Sequence, residues 1–494
     1  METSARAGAD LAELRVDCIA DLPAVENLLR GCRRLPVVVT ARSRNEGGRW
    51  PGSEAERIAL LIRLAGLQPD YLDVEMATWE ECAEIRRCVE KIRQVDANTR
   101  KPRLILSHHD FQGAPADLTQ IFRRLEAVPA DIIKAVFTPA DSTDACRLLA
   151  ESRRLKAANR PAIVLGMGES GLLTRVLAKK FGAYLTFAAL ESGAESAPGQ
   201  PTIADLRGLY RWADVGARTR VYGVIGWPVS HSQSPKLHNG FMAAEHIDGV
   251  YLPLPVRPDY AGVADFLDFV AASDWLDFAG FSVTIPHKVN VFRWLGEHGC
   301  AISSLAQRIG AVNTLVREPD GNWRGENTDA IGALAALRSV PKLAERGDGE
   351  DSLRDLTVDI LGAGGVARAV VAAVIERGCR VTIYNRDARR GAGLAEQMGC
   401  SWRAWEERDA GDARVLINCT SVGMSPKVDE LSLDPARLHP DTIVFDTVYT
   451  PAETRLLREA KSHGCRIVSG LQMFRAQAAE QIRLWHGDNR RFID

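Results

Sequence analysis

Over its first 205 residues the chain alternates short β-rich runs with amphipathic stretches, and few folds accept that pattern. The runs are ELRVD (13–17), LPVVVTAR (35–42), YLDVE (71–75), RLILSHHD (103–110), DIIKAVF (131–137), AIVLGMG (162–168) and AYLTFAAL (183–190). Segments such as AERIALLIRLAGL and DACRLLAESRRL lie between them. Repeated β–α units make a parallel sheet with helices outside it. Sustained over this length, they point to a (β/α)8-type barrel. Seven runs are present where such a barrel has eight, and only 12 residues precede the first. The expectation is an α/β barrel lacking its first strand, with bare edges at ELRVD and AYLTFAAL.

Residues 206–220, LRGLYRWADVGARTR, read as a helix running into a polar linker, and a new domain starts at VYGVIGWPV. At 357–384, TVDILGAGGVARAVVAAVIERGCRVTIY reads as strand, glycine turn, helix, strand, preceded by the acidic loop ERGDGEDSLRD, expected to be solvent-exposed. The expected domains are 1–212, then 220–330 completed by 455–494, then a Rossmann-like 331–454.

The turn GAGGVA places Gly362, Ala363, Gly364, Gly365 and Val366 where backbone can approach a pyrophosphate at a helix N-terminus. The second strand ends at Asn385 and Arg386, with Arg389 and Arg390 nearby. Arginine suits a 2′-phosphate, so the expected cofactor is NADP, although Asp387 could repel that phosphate.

Lys134 stands inside DIIKAVF. Residues two apart on a strand share a face, so it points the same way as Ile132 and Val136. On a barrel interior its ammonium is partly desolvated, which lowers its pKa and favours attack on a ketone to form a Schiff base. LSHHDF aims two histidines at opposite faces of a strand end, and one must look inward. In the second half, Ser232 and Ser234 offer hydroxyls to a small polyol or carboxylate. Lys288 and Asp329, brought together, could pass a proton to a carbonyl while nicotinamide supplies hydride.

Composition narrows the class. A net charge of −2 gives no electrostatic case for nucleic acid or an anionic membrane. No apolar run approaches the roughly 18 residues of a membrane span. METSARAGADLAEL lacks a basic region followed by an apolar core, so no signal peptide is expected. The ten cysteines include no C-x-x-C pair, which speaks against zinc and against a secreted scaffold. A reducing, cytoplasmic setting is the expectation.

Seven motifs in order, YGVIGWPVSHSQSPKLHN (222–239), GFSVTIPHK (280–288), IGAVNT (309–314), GENTD (325–329), GAGGVA (362–367), INCTSVGM (417–424) and GLQMFRAQ (470–477), resemble shikimate dehydrogenase over 221–494. The resemblance implies that Ser232, Ser234, Thr284, Asn313, Asp329 and Gln477 hold substrate and that Lys288 with Asp329 does the acid–base work. It implies that Tyr449 closes over the substrate, that Gly362, Gly364, Gly365, Asn385 and Arg386 hold the cofactor, and that Met473 packs near the nicotinamide. Ser282 departs from an asparagine common in bacterial members, and SVTIPHK looks like the plant fused enzymes. Asp387 stands where a small hydroxyl residue is common.

The first half resembles type I 3-dehydroquinate dehydratase through ELRVD, TARSRNEGG (40–48), LSHHDF (106–111), DIIK (131–134), GESGLLTR (168–175) and SAPGQ (196–200). That implies a Schiff base on Lys134, with His109 as general acid–base oriented by Glu46. Glu13, Arg15, Arg42, Arg175, Ser196 and Gln200 would grip the substrate's carboxylate and hydroxyls. The family begins with a further strand and helix. Either the true start lies upstream or the barrel is open. Together the halves imply two consecutive shikimate-pathway steps, from 3-dehydroquinate through 3-dehydroshikimate to shikimate, with the oligomeric state left open. Three alternatives remain: a working dehydrogenase beside an impaired barrel, a preference for quinate, and a non-catalytic ligand sensor.

Overall fold

The structure, a computed structural model, describes residues 1–31, 33–94, 101–341, 343 and 352–487. Most of ERGDGEDSLRD lies outside the described residues. The chain divides into two compact units, Met1–Val221 with Pro228–Val256, and Tyr222–Trp227 with Arg257–Asp494. Among the described residues no helix is long and apolar enough to cross a membrane.

The first unit is built on six parallel strands in sequential order: β1 (Ala12–Arg15), β2 (Val37–Thr40), β3 (Tyr71–Glu75), β4 (Arg103–Asp110), β5 (Ile132–Phe137) and β6 (Ala162–Gly166). Strand β5 is buried on both faces. Ile133, Ala135 and Phe137 join one apolar cluster with helix residues such as Leu61, Phe122 and Leu148. Ile132 and Val136 join another with Val38, Ile105 and Leu165, all from the strands. The period of two thus sorts strand side chains into a helix-facing and an inner layer. Helices are set by local chemistry. Ser53 and Glu56 form a capping box at Glu54–Ala65, and Asp141 caps Ser142–Ala157 by accepting from the Thr143 and Asp144 N–H groups.

Two expectations fail here. Residues 183–190 do not form a strand. The Tyr184 N–H donates to Ala162 O (2.7 Å) and Ala189 bridges Thr202, with no ladder between. Tyr184 and its neighbour Leu185 both pack on the inner cluster, as does Phe187. Strand alternation would send adjacent side chains to opposite faces, so inward burial has displaced the ladder. The helix expected over 206–220 is reduced to one π-helical turn, Asp205–Leu209, followed by Arg211 in a left-handed conformation (φ 48°). The stretch beyond Arg211 is no free linker, because Lys180, itself buried, donates to Ala217 O and Thr219 O, both at 2.9 Å.

Six further strands, β7 (Arg220–Gly226), β8 (Gly249–Pro255), β9 (Phe278–Val283), β10 (Ala301–Ile302), β11 (Thr314–Arg317) and β12 (Trp323–Glu326), form a mixed sheet in the order β10-β12-β11-β9-β7-β8. The last six are all parallel: β13 (Thr357–Leu361), β14 (Arg380–Asn385), β15 (Ser401–Ala404), β16 (Val415–Asn418), β17 (Ile443–Asp446) and β18 (Arg466–Ser469), ordered β15-β14-β13-β16-β17-β18. This is a doubly wound, Rossmann-like order, with the turn at 362–364 between β13 and the helix Gly365–Glu376 and β14 after that helix, as the sequence indicates.

Candidate active sites

In the first unit, Lys134 reaches the inner layer and is 4% exposed. It is no isolated amine, because its Nζ donates to Asp73 Oδ2 at 3.0 Å and lies 4.6 Å from the centre of the Phe187 ring. Asp73 is wholly enclosed. Burial alone would raise its carboxyl, but Arg42, Lys134 and the Ser107 hydroxyl pull it down to about 2. Arg42 donates to Asp73 Oδ1 (2.8 Å), Glu75 Oε1 (3.1 Å) and Ser107 Oγ (2.8 Å). A charged network therefore fixes the lysine.

His109, at the end of β4, faces the same layer. Glu46 Oε2 accepts from the His109 main-chain N–H (3.0 Å) and lies 2.9 Å from Nδ1. Burial first, then the charges of Arg42 and Lys134, hold the imidazole well below its usual range, so it is neutral near pH 7. Burial pushes the Glu46 carboxyl up to about 8. His108 turns the other way, 5.9 Å from the Phe137 ring. Glu46 is carried on a short turn that closes at Gly47 (φ 80°), where a side chain would strike the Phe111 ring.

The three arginines named from the sequence differ in what they touch. Arg15 gives Nε and Nη2 to Asp17 (2.9 and 2.8 Å) and Nη1 to Ser196 O (3.3 Å). Arg42 is consumed by the acids above. Arg175 is 2% exposed, donates Nε to Gly166 O (3.1 Å) and makes no ion pair among the described residues. Burial alone pulls its guanidinium down to about 10. A buried cation with no counter-ion is costly, and the arrangement suits an incoming anion. Glu13 accepts from Thr40 Oγ1 (2.8 Å), and Gln200 Oε1 accepts from Ser196 N (2.8 Å) and Oγ (3.1 Å).

In the second unit, Lys288 begins the helix Lys288–Glu297 and Asp329 begins the helix Asp329–Arg338. Nζ donates to Asp329 Oδ2 at 2.5 Å, with both residues buried. An aspartate suits a helix N-terminus, whereas a lysine opposes the helix dipole there, so Lys288 is held against its local preference by its partner. Asn313 Oδ1 accepts from Thr328 N (2.7 Å), while its Nδ2 donates to Thr328 Oγ1 (3.0 Å) and Gln477 Oε1 (3.4 Å). Gln481, from the same helix as Gln477, accepts from Ser282 Oγ (2.9 Å) and donates to Thr314 Oγ1 (2.9 Å). Thr284 gives its N–H to Ile225 O (2.9 Å), Met473 is buried in the apolar cluster that holds Val358 and Ile360, and the Tyr449 ring stacks on Phe474 at 4.7 Å. Ser232 and Ser234, in the segment Pro228–Val256, stand at the start of the helix Ser234–Ala244, where Ser234 N donates to Ser232 Oγ (3.2 Å).

The glycine turn touches the lysine. A Cβ on Gly365 would stand 3.1 Å from both Cβ and Cδ of Lys288, and one on Gly364 would meet open space. Gly362 holds φ 106° between β13 and the helix Gly365–Glu376. The donor set, free helix N–H groups beside a side-chain-free cradle, fits a dinucleotide phosphate. Asn385 Nδ2 donates to Asp387 O (2.8 Å), and Arg386 is exposed. Asp387, the doubtful acid, caps the helix Ala388–Met398 by accepting from Arg390 N (3.1 Å), and its Oδ2 lies 3.5 Å from Arg390 Nε. Its charge is thus partly answered by the helix end.

Residues 1–217 match the type I 3-dehydroquinase family, 224–315 the shikimate dehydrogenase substrate binding domain, and 342–421 the shikimate / quinate 5-dehydrogenase family. A chloroplastic bifunctional 3-dehydroquinate dehydratase/shikimate dehydrogenase of Arabidopsis thaliana is 39% identical over 97% of this chain and 78% of its own length. The chain belongs to this bifunctional dehydratase/dehydrogenase family. The shikimate biosynthesis protein AroDE of Chlamydia pneumoniae is 31% identical over 97% of this chain and 90% of its own. A shikimate dehydrogenase (NADP(+)) of Oleidesulfovibrio alaskensis is 39% identical over 54% of this chain and 90% of that protein.

For a bifunctional dehydratase/dehydrogenase, three polar residues at these sites went unnamed by sequence reasoning. Asp73 sits in YLDVE, and an acid inside a β-rich run carries the same signal that singled out Lys134. Thr328 lies inside GENTD, one residue before a named aspartate. Gln481 comes one helical turn after Gln477, the spacing that shares a face.

Proposed function

We propose that Lys134 and Lys288 are the working lysines of the two reactions. The chain is a 3-dehydroquinate dehydratase and an NADP-dependent shikimate dehydrogenase of the shikimate pathway. In our reading residues 1–212 carry the first activity, and 220–330, completed by 455–494, together with 331–454 carry the second.

For the dehydration, the Lys134 ammonium first gives a proton to water; its free Nζ then attacks the substrate ketone, the ketone oxygen leaves as water, and an iminium forms. Neutral His109, with Nδ1 turned to Glu46, presents Nε2 to take the proton from the adjacent carbon. The same imidazolium returns a proton to the departing hydroxyl, and water then releases the lysine. Asp73, held near the bottom of the carboxylate range, is too weak a base to take the ammonium proton and instead fixes the position of Nζ. Arg175 receives the substrate carboxylate, with Ser196 and Gln200. Glu13 and Arg15 face the hydroxyls, while Arg42 holds Asp73 and Glu75 in place. Arg175→Met is expected to raise KM for 3-dehydroquinate roughly 10–100-fold through loss of a charge-assisted pair. Steady-state kinetics check this, and an unchanged KM would remove Arg175 from the carboxylate site.

For the reduction, NADPH, when bound at Gly362–Val366, Asn385 and Arg386, supplies hydride. Lys288, held by Asp329, gives the developing alkoxide its proton, and Asp329 helps restore it. Ser232, Ser234, Thr284, Asn313 and Gln477 hold the carboxylate and hydroxyls, Tyr449 covers them, and Met473 lies toward the nicotinamide. The observation that supports this reading is the closeness of Gly365 to the Lys288 stem, where an added Cβ would stand 3.1 Å from Lys288 Cβ and Cδ. The nine described cysteines are free thiols, which suits our cytoplasmic reading.

Two assays on one preparation test the pairing: dehydration of 3-dehydroquinate, and shikimate oxidation with NADP+. Both rates are expected. Absence of either overturns the two-step reading.

A further inference from the structure

The second unit holds a buried carboxylate that neither reaction uses. Asp446 ends β17 and Asn418 ends β16, and the two are register partners. Both side chains are fully enclosed. Asn418 Nδ2 donates to Asp446 Oδ1 (2.9 Å) and to Val422 O (3.3 Å). The Val448 N–H donates to the same Oδ1 (3.0 Å), and Thr454 Oγ1 donates to Oδ2 (2.6 Å).

These bonds join two segments with different tasks. On one side, Asn418 Oδ1 accepts from Thr420 N (3.1 Å) and Oγ1 (2.7 Å), shaping residues 418–422. That segment abuts the nucleotide turn, since a Cβ on Gly362 would stand 3.1 Å from Thr420 Cγ2 and 3.2 Å from Cys419 O. On the other side, the carboxylate fixes the backbone of 446–448, which leads directly into Tyr449. A second strut runs between the segments, from Ser425 N to Thr450 O (3.0 Å). Burial first, and then the carboxylates of Asp446 and Asp329, push the Cys419 thiol up, so this segment lies within the field of the Lys288–Asp329 pair as well. A wholly buried acid accepting three hydrogen bonds costs desolvation, and a leucine of similar size would pack the same space.

We infer that Asp446 is a positioning residue of the dehydrogenase, locking the segment against the nucleotide turn to the segment that bears Tyr449, so that cofactor and substrate are held in one register. This rests on the dehydrogenase reading above. Asparagine at 446 preserves shape but cannot accept at both oxygens, so it loosens the tie without emptying the site.

The test uses the full chain, with binding read apart from turnover. Asp446→Asn is expected to weaken NADP+ and shikimate about tenfold each, measured by tryptophan fluorescence and calorimetry with one ligand at a time. The thermal midpoint should stay within about 4 °C, and dehydratase activity reports that the chain is intact. Both dissociation constants within twofold of the parent would show a merely structural acid and overturn the inference. If D446N does not fold, Asn418→Ser cuts the same tie from the other strand, with the same expected and overturning results. A parent chain that binds NADP+ but does not oxidise shikimate would defeat the functional reading alone, and the affinities would still decide this one. A parent that does neither would overturn both.

Discussion

Lys134→Met is expected to cut dehydratase turnover by at least about 10^3-fold, the scale of losing a covalent nucleophile. Shikimate oxidation in the same protein should stay within about twofold, because the two lysines belong to different units. Methionine keeps the length and apolar stem that the inner layer packs, and it cannot form an iminium. Asp73 is left buried, but Arg42 and Ser107 still satisfy one of its oxygens, so the chain should fold at a modest cost in stability. Arginine at 134 would keep the charge beside Asp73 and lose the chemistry, which separates electrostatic support from covalent catalysis. Rates measured by product absorbance, with circular dichroism as the fold check, decide the matter. Retention of a tenth or more of the dehydratase rate in Lys134→Met would assign the Schiff base elsewhere or remove it altogether.

Lys288→Met should lower kcat for shikimate oxidation by about 10^2–10^4, the usual weight of a positioned acid–base group. KM for NADP+ should hardly move, because methionine retains the stem that lies against Gly365. The variant also relieves the conflict between an ammonium and a helix N-terminus. That gain offsets only part of the cost of leaving Asp329 buried without its partner, so the variant should melt several degrees below the parent chain. A large loss in kcat with cofactor binding kept, in a chain that still folds, distinguishes a proton donor from a structural ion pair. A large rise in KM for NADP+ with kcat preserved would make Lys288 a cofactor-site residue instead.

The architecture was readable wherever a local rule was enough. Alternation put Lys134 with Ile132 and Val136, and they lie in one layer because period two leaves no other choice. Glycines after TVDIL marked a turn, and the strand before it, the helix after it and the next strand fall where the pattern put them. Failures came where a non-local partner decided. AYLTFAAL has strand composition, but its neighbouring side chains turn together onto the inner cluster. The segment at 211–220 looked polar and loose, yet its carbonyls satisfy buried Lys180. Asp73 and Lys134 are 61 residues apart, and only the order β3-β4-β5 brings them together. The resemblance to the dehydratases likewise gave three arginines equal standing. Their difference lies in which acids the fold places beside them, and Arg175 has none among the described residues.

A covalent intermediate on Lys134, in a chain that also carries a dehydrogenase, is open to direct capture by borohydride. The protein is incubated with 3-dehydroquinate, reduced, digested and read by mass spectrometry, while a parallel sample is assayed for shikimate oxidation with NADP+. A substrate-derived adduct is expected on the peptide containing Lys134, absent without borohydride and absent in Lys134→Met. No adduct there, in protein that still oxidises shikimate, would contradict Schiff-base chemistry at this lysine.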